Sequence, residues 1–143
     1  MIKLFQRWFN LPPTKDAEFI TDNRGEKFWI IWTTHVGNAP KLVLIYRGQW
    51  VGTVESVEEE DGGLTIADVI LFDYHYKLRH RGLGKAMLRR FVEYAREHGV
   101  TYLWGWIQAH EGSTKEYLIE WYRRQGFQVY EVKDGVYHVK LEL

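Results

Sequence analysis

A chain of 143 residues, 27% of them charged and 45% hydrophobic, has the makeup of one compact domain spanning 1–143 and little room for a second core. Basic and acidic residues balance at 19 each, so no net field draws the chain to nucleic acid or to an anionic membrane. The absence of cysteine excludes thiolate nucleophiles, disulfides and sulfur-ligated metals, and with no long apolar span or secretory leader the expectation is a cytoplasmic protein without stable membrane association.

Ile2, Phe5 and Phe9 stand at helical spacing before Pro12 and Pro13, which predicts a short amphipathic helix over Met1 to Asn10, docked on the chain's own sheet. Thr14 to Lys27 is polar and reads as a connection. Four runs rich in branched and aromatic residues follow: Phe28 to His35, Lys41 to Arg47, Trp50 to Val57 and Leu64 to Asp73. The turn sequences between them, Gly37-Asn38-Ala39-Pro40, Gly48-Gln49 and Asp61-Gly62-Gly63, predict an antiparallel meander.

Arg81 to His98 places Met87, Leu88, Phe91, Val92 and Ala95 on one stripe and ends at Gly99, as a capped helix does. Val100 to Gln108 reads as a buried strand, so the strand–helix–strand order implies a right-handed parallel crossover. Ser113-Thr114-Lys115-Glu116 predicts a capping box for a second helix, closed by Gly126 after Gln125. Phe127 to Lys133 and Val136 to Leu143 form a hairpin through Asp134-Gly135. The seven tryptophans and nine tyrosines read first as packing residues.

Arg79-His80-Arg81-Gly82-Leu83-Gly84 delivers the chain to a helix start, where unpaired N–H groups and a partial positive charge suit an anion. Gly82 and Gly84 let backbone approach phosphate oxygens, while Lys77, Arg79, Arg81 and Lys85 add mobile positive charge. Met87 stands where a dinucleotide fingerprint needs its third glycine. Arg79 and Ala86 break the P-loop pattern.

With Arg79, Gly82 and Gly84 at these intervals, and Trp121-Tyr122-Arg123-Arg124-Gln125-Gly126-Phe127 further on, the chain resembles the GNAT superfamily of N-acetyltransferases from about Phe28 to Leu143. The resemblance implies an α/β fold of α+β type: a mixed, mostly antiparallel sheet of about six to seven strands whose central strands splay for coenzyme A, two main helices and a short N-terminal helix. It also implies acetyl-CoA as co-substrate and direct transfer of the acetyl group to a primary amine of a small molecule or peptide. The pantetheine arm would then pair with backbone of Phe72, Asp73 and Tyr74. The amides of His80, Arg81, Gly82, Leu83, Gly84 and Lys85, with the Arg79 side chain, would take the pyrophosphate. Tyr122 would face the thioester sulfur as the acid. Asp68, eleven residues before Arg79, occupies the place of a catalytic glutamate found in histone-acetylating members and would act as base through water.

Two departures bear on the acceptor. Only Val36 to Pro40 stands where most members place one or two helices, which predicts an open acceptor groove rimmed by Asp134-Gly135 and by the acidic Glu58 to Asp61 turn, with Tyr74 and Trp106 as walls. Lys115 stands near the place of a frequent asparagine. His75 and His80 lie beside the predicted cleft, but no histidine pair has metal-ligand spacing, so no metal is expected. A homodimer remains open as an assembly. The competing expectation is a non-catalytic acyl-CoA-binding or protein-interaction module of the same fold.

Overall fold

A computed structural model describes residues 9–34, 36–72, 76–109 and 113–143. Eight strands and two helices follow one another as β1 (Glu18–Thr21), β2 (Lys27–Thr34), β3 (Pro40–Tyr46), β4 (Gln49–Glu58), β5 (Leu64–Leu71), α1 (Leu83–Glu97), β6 (Tyr102–Trp106), α2 (Lys115–Arg124), β7 (Gln128–Lys133) and β8 (Val136–Glu142). All strands join one sheet in the order β1-β2-β3-β4-β5-β6-β8-β7, antiparallel except for the β5–β6 pair. This is the mixed α/β sheet that the sequence predicts, with one strand more.

The extra strand is β1, which lies inside the segment read as a polar connection. Its four residues, Glu18-Phe19-Ile20-Thr21, are too few for a periodic signal within a polar stretch, and tertiary partners define it. Glu18 accepts from the Trp32 indole N–H and pairs with Arg90 of α1 at 2.9 Å. The Trp32 ring in turn stacks on Tyr94 at 3.9 Å. The second helix also starts one residue later than the capping box implies. Thr114, not Ser113, is the N-cap, and its hydroxyl accepts from the Tyr117 N–H. Of the N-terminal helix, only Phe9 and Asn10 fall among the described residues. Asn10 accepts from the Arg47 N–H and the Trp29 indole and donates to the Lys27 carbonyl, which fixes where the segment meets β2 and β3.

The main core cluster lies on one face of the sheet, and Val43 and Ile45 of β3 are buried on the other. Met87, Leu88, Phe91, Val92 and Ala95, the predicted stripe of α1, are all buried in that cluster against Phe28, Leu42, Leu44, Val54, Leu103 and Val139. Gly52 of β4 shows how close the helix comes, because a Cβ there would meet Met87 Sδ at 3.0 Å.

Candidate active site

Two sheet features create the site. The parallel β5–β6 ladder joins only Leu64–Ile66 to Leu103–Gly105, and beyond it the two strands have no common pairing. On the other side of β5, the β4 ladder carries a bulge: Ser56 is opposite Ile66 but Glu55 is opposite Asp68, which leaves Ala67 unpaired. A bulge of one residue reverses the in–out alternation of everything after it. Ile66 therefore faces the helices, whereas Asp68 shares the face of Glu55, away from them, and is exposed. Val69 and Leu71 then pack toward the core.

The bulge also determines which backbone groups border the opening. The Phe72 N–H donates to the Val51 carbonyl at 2.8 Å, so of the Phe72 to Tyr74 backbone groups expected to hold pantetheine, this one is engaged in the β4 ladder. Antiparallel alternation then turns the N–H and C=O of Val69 and Leu71 toward the opening. Asp73, Tyr74 and His75 lie outside the described residues.

The loop from Lys77 to Lys85 is held by the β1–β2 turn, which sequence reasoning passed over. The Asn23 N–H donates to the Arg81 carbonyl at 2.8 Å, and the Asn23 side-chain amide donates to the His80 carbonyl at 3.0 Å. Arg81 does not supply mobile charge. Its guanidinium is buried, bonded to Asp22 at 2.7 Å and to Glu26 at 2.9 Å, with Phe28 beneath it at 5.3 Å. Asp22 is itself fixed by the N–H groups of Arg24 and Glu26. Burial alone would raise the Asp22 pKa, but the Glu26 N–H and the Arg81 guanidinium outweigh it and hold the carboxyl below its usual range. Glu26 also accepts from the Tyr46 hydroxyl, whose pKa rises through burial and that bond. The signal for this clamp was the turn sequence Asp22-Asn23-Arg24-Gly25 between two apolar segments.

Held in this way, the loop adopts two left-handed residues, His80 at φ 63° and Gly82 at φ 74°. Gly82 is the N-cap of α1, and the first N–H to donate inside the helix is that of Ala86, to the Gly82 carbonyl. Those of Leu83, Gly84 and Lys85 have no helical acceptor and point out of the helix start. Lys77, Arg79 and Lys85 are exposed around it, and their side chains make no ion pair among the described residues. Gly84 packs beside Trp121 of α2, where an added Cβ would stand an ordinary 3.6 Å from the indole.

Helix α2 ends with Gly126 at φ 94°, its N–H bonded to the Arg123 carbonyl, and this turn returns Phe127 against Tyr122 edge-on at 5.4 Å. Trp121 meets Tyr122 edge-on from the other side at 5.0 Å. Tyr122, 9% exposed, is the buried residue of this helix. Burial and then the negative charge of Asp68 push its hydroxyl up to about 12. The charge of Asp68, 54 positions earlier in sequence, thus acts on Tyr122. The Gly–Phe pair after the helix serves to position the tyrosine.

The two turns expected to rim the opening part company. Asp134-Gly135 lies at the open end, because β8 begins beside the end of β6 with His138 opposite Trp106. Lys115 secures that turn by donating to the Gly135 carbonyl at 2.9 Å. The Glu58 to Asp61 turn lies at the other end of β5, where the ladder is closed: Gly62 accepts from the Thr101 N–H, and Asp61 accepts from Tyr102 at 2.6 Å. It cannot rim the opening. Among the described residues, no group of three or more His, Asp or Glu is arranged to hold a metal ion. No helix among them is long and apolar enough to cross a membrane.

The chain matches the profile of the acetyltransferase (GNAT) family over residues 2–129. It belongs to the GNAT family. Solved structures agree at the level of the fold. The GNAT domain of the S. lividans protein PAT superimposes with a TM-score of 0.71 at 14% identity, over 92% of this chain and 99% of that one. A Bacillus subtilis acetyltransferase in complex with CoA gives 0.63 at 11% identity, over 82% and 99%. The ribosomal-protein alanine N-acetyltransferase of Escherichia coli gives 0.59 at 19% identity, over 76% and 71%. Comparison with curated proteins gives no match. Within this GNAT chain, residues 35–39 alone connect β2 to β3, so the helical insertion common in the family has no space there.

Proposed function

We propose that this GNAT protein is an N-acetyltransferase that passes the acetyl group of acetyl-CoA directly to a primary amine in a ternary complex. One observation carries the reading. The bulge at Ala67 turns Asp68 to one side of an unpaired strand edge, while Tyr122, buried on the helix side, is near enough for the Asp68 charge to raise its pKa. A thioester lying along that edge would have a base on the acceptor side and an acid at its sulfur.

The α1 start, with the N–H groups of Leu83, Gly84 and Lys85 and the side chains of Arg79 and Lys85, would take the pyrophosphate. A helix N-terminus contributes about 0.3–1 kcal/mol per anion, and up to about 2 when partly buried. Edge groups of Val69 and Leu71 would hold the pantetheine amides and the carbonyl oxygen, a fixed dipole that needs no reorganisation as charge develops. A protonated amine near pKa 10 costs about 4 kcal/mol to neutralise at pH 7. Asp68, exposed to solvent, would accept that proton through water. The neutral nitrogen attacks the carbonyl carbon, the C–N bond forms and the C–S bond breaks. The departing sulfur takes the Tyr122 proton, and the proton released from the new amide nitrogen restores the phenol.

The test is CoA release with polyamines, amino sugars, amino acids and basic peptides, run beside calorimetric binding of acetyl-CoA. Turnover with any of these amines, lost in Tyr122→Phe, is the expected result. Binding of acetyl-CoA without turnover on any of them would replace the enzyme with an acyl-CoA-binding module.

A further inference from the structure

The face of the sheet turned away from the helices carries an aromatic cluster that the chemistry above does not use. Trp104 and Trp106 alternate with the core-facing Leu103 and Gly105, and the β6–β8 register places His138 opposite Trp106. The β7–β8 register places Tyr130 opposite His138. The rings touch as a unit: Trp106 meets His138 edge-on at 4.0 Å, Trp104 lies 5.3 Å from the same imidazole and 5.7 Å from Trp106, and Tyr130 lies 5.8 Å from it. Trp106 is 49% exposed and Tyr130 is 42% exposed. His138 Nε2 is buried at the centre of the cluster and has no hydrogen-bond partner among the described residues.

Three observations give this cluster a ligand. Trp106 immediately follows Gly105, the last β6 residue paired with β5, so the cluster begins where the sheet opens and lies on the face to which the bulge turns Asp68. Several other exposed rings carry one of the chain's own cations: Lys27 over Phe19 and Trp29, Lys41 over Trp50, Lys140 over Tyr102. Among the described residues no cation stands over Trp104, Trp106 or Tyr130. Ring faces attract ammonium and guanidinium groups, most strongly at tryptophan, and an unpartnered imidazole nitrogen supplies a hydrogen-bonding group beside them.

We propose that Trp104, Trp106, Tyr130 and His138 form the acceptor subsite, and that they hold a lysine or arginine side chain of a basic peptide next to the amine that is acetylated. The inference rests on the transferase reading. A ring platform stabilises the charged form of what it binds, so it suits a neighbouring cation and not the nitrogen that must lose its proton. The platform spans three adjacent strands, about 10 Å at the usual inter-strand spacing, and the 35–39 connection places no helix over the opening. That width fits successive side chains of an extended peptide.

The test uses the intact chain and follows its tryptophan fluorescence during titration with tetralysine, with tetra-acetyl-lysine and spermidine as separate arms. Acetyl-CoA affinity and circular dichroism are measured in parallel. Tetralysine should bind at least several-fold more tightly than either comparison ligand. Trp106→Ala and Tyr130→Ala should each weaken it about 10-fold and raise its KM by a similar factor, with acetyl-CoA affinity within twofold of the parent. Unchanged tetralysine binding in both folded variants would overturn the subsite. A preference for spermidine would overturn the peptide as occupant. Peptide binding that both variants lose, in a parent that acetylates no amine, would keep the subsite and defeat the transferase reading instead.

Discussion

Tyr122 and Asp68 show how position alters the chemistry of a residue type. In water a phenol ionises near pH 10, close enough to a thiol to share a proton readily. Burial between Trp121 and Phe127, with the Asp68 charge facing it, raises this one to about 12. The hydroxyl is therefore a weaker acid than its sequence suggests, yet it keeps its proton throughout the range in which acceptor amines become neutral. The pH–rate profile should accordingly show no alkaline loss from Tyr122 below about pH 11. Tyr122→Phe should lower kcat roughly 10- to 1000-fold at every pH, with acetyl-CoA affinity retained. An alkaline limb near pH 9 that disappears in Tyr122→Phe would contradict this. Asp68→Asn should instead be partly rescued as the pH rises, because bulk solvent then deprotonates the amine. A pH-independent loss would make Asp68 structural.

At the scale of elements, the loop before α1 is shaped from both ends. Gly82 needs its left-handed φ of 74°, so Gly82→Ala should be strained although open space surrounds it, and Gly82→Asn should be tolerated better. Gly82→Asp puts a carboxylate where the pyrophosphate would lie and should abolish acetyl-CoA binding by calorimetry. Unchanged affinity in the folded variant would remove the loop as the phosphate site. The other end is the Asp22–Arg81–Glu26 clamp. Removing one partner of a buried ion pair costs about 3–5 kcal/mol, so Asp22→Ala should lower stability by that order and weaken acetyl-CoA binding through a loosened loop. The folded-state pKa of Asp22 lies below its unfolded value, so its contribution is complete above about pH 4 and is lost as pH falls through the folded pKa. Acid unfolding of the parent should therefore steepen below about pH 4, and Asp22→Asn should flatten that limb. An identical acid limb in both proteins would show that the pair does not set acid stability.

For the whole molecule, one sheet divides the labour. Its helical face carries the core, the α1 start and Tyr122, while the opposite face carries Asp68 and the Trp104–Trp106–His138 cluster. The gap past the three-residue β5–β6 ladder joins the two faces. Gly105→Val would drive a side chain against the Ile66 carbonyl, 3.1 Å from where its Cβ would lie, and against Val139. The expected outcome is lost turnover in step with a lower Tm, since the same contacts anchor β6 to the core.

Much of this protein was written in short-range signals. The α1 stripe, the Asp134-Gly135 hairpin, the glycines of the phosphate loop and the Tyr122–Gly126–Phe127 spacing are local patterns, and local backbone preferences suffice to express them. The capping box erred by one residue, because Ser113 and Thr114 offer the same chemistry and only the helix axis decides between them. Other features have no local signature. β1 is a strand because Trp32 and Arg90 give Glu18 partners, and Arg81 leaves the anion site because Asp22 and Glu26, more than fifty positions earlier, take its guanidinium. The bulge at Ala67 is a register choice between β4 and β5, and it decides that Phe72 is paired, that Val69 and Leu71 border the opening, and that Asp68 faces the acceptor side. Sequence alone determined which residues can do chemistry, since that depends on side-chain type and spacing along one element. Tertiary structure decided which of them meet, because pairing register and buried charge are settled between segments that are distant in the chain.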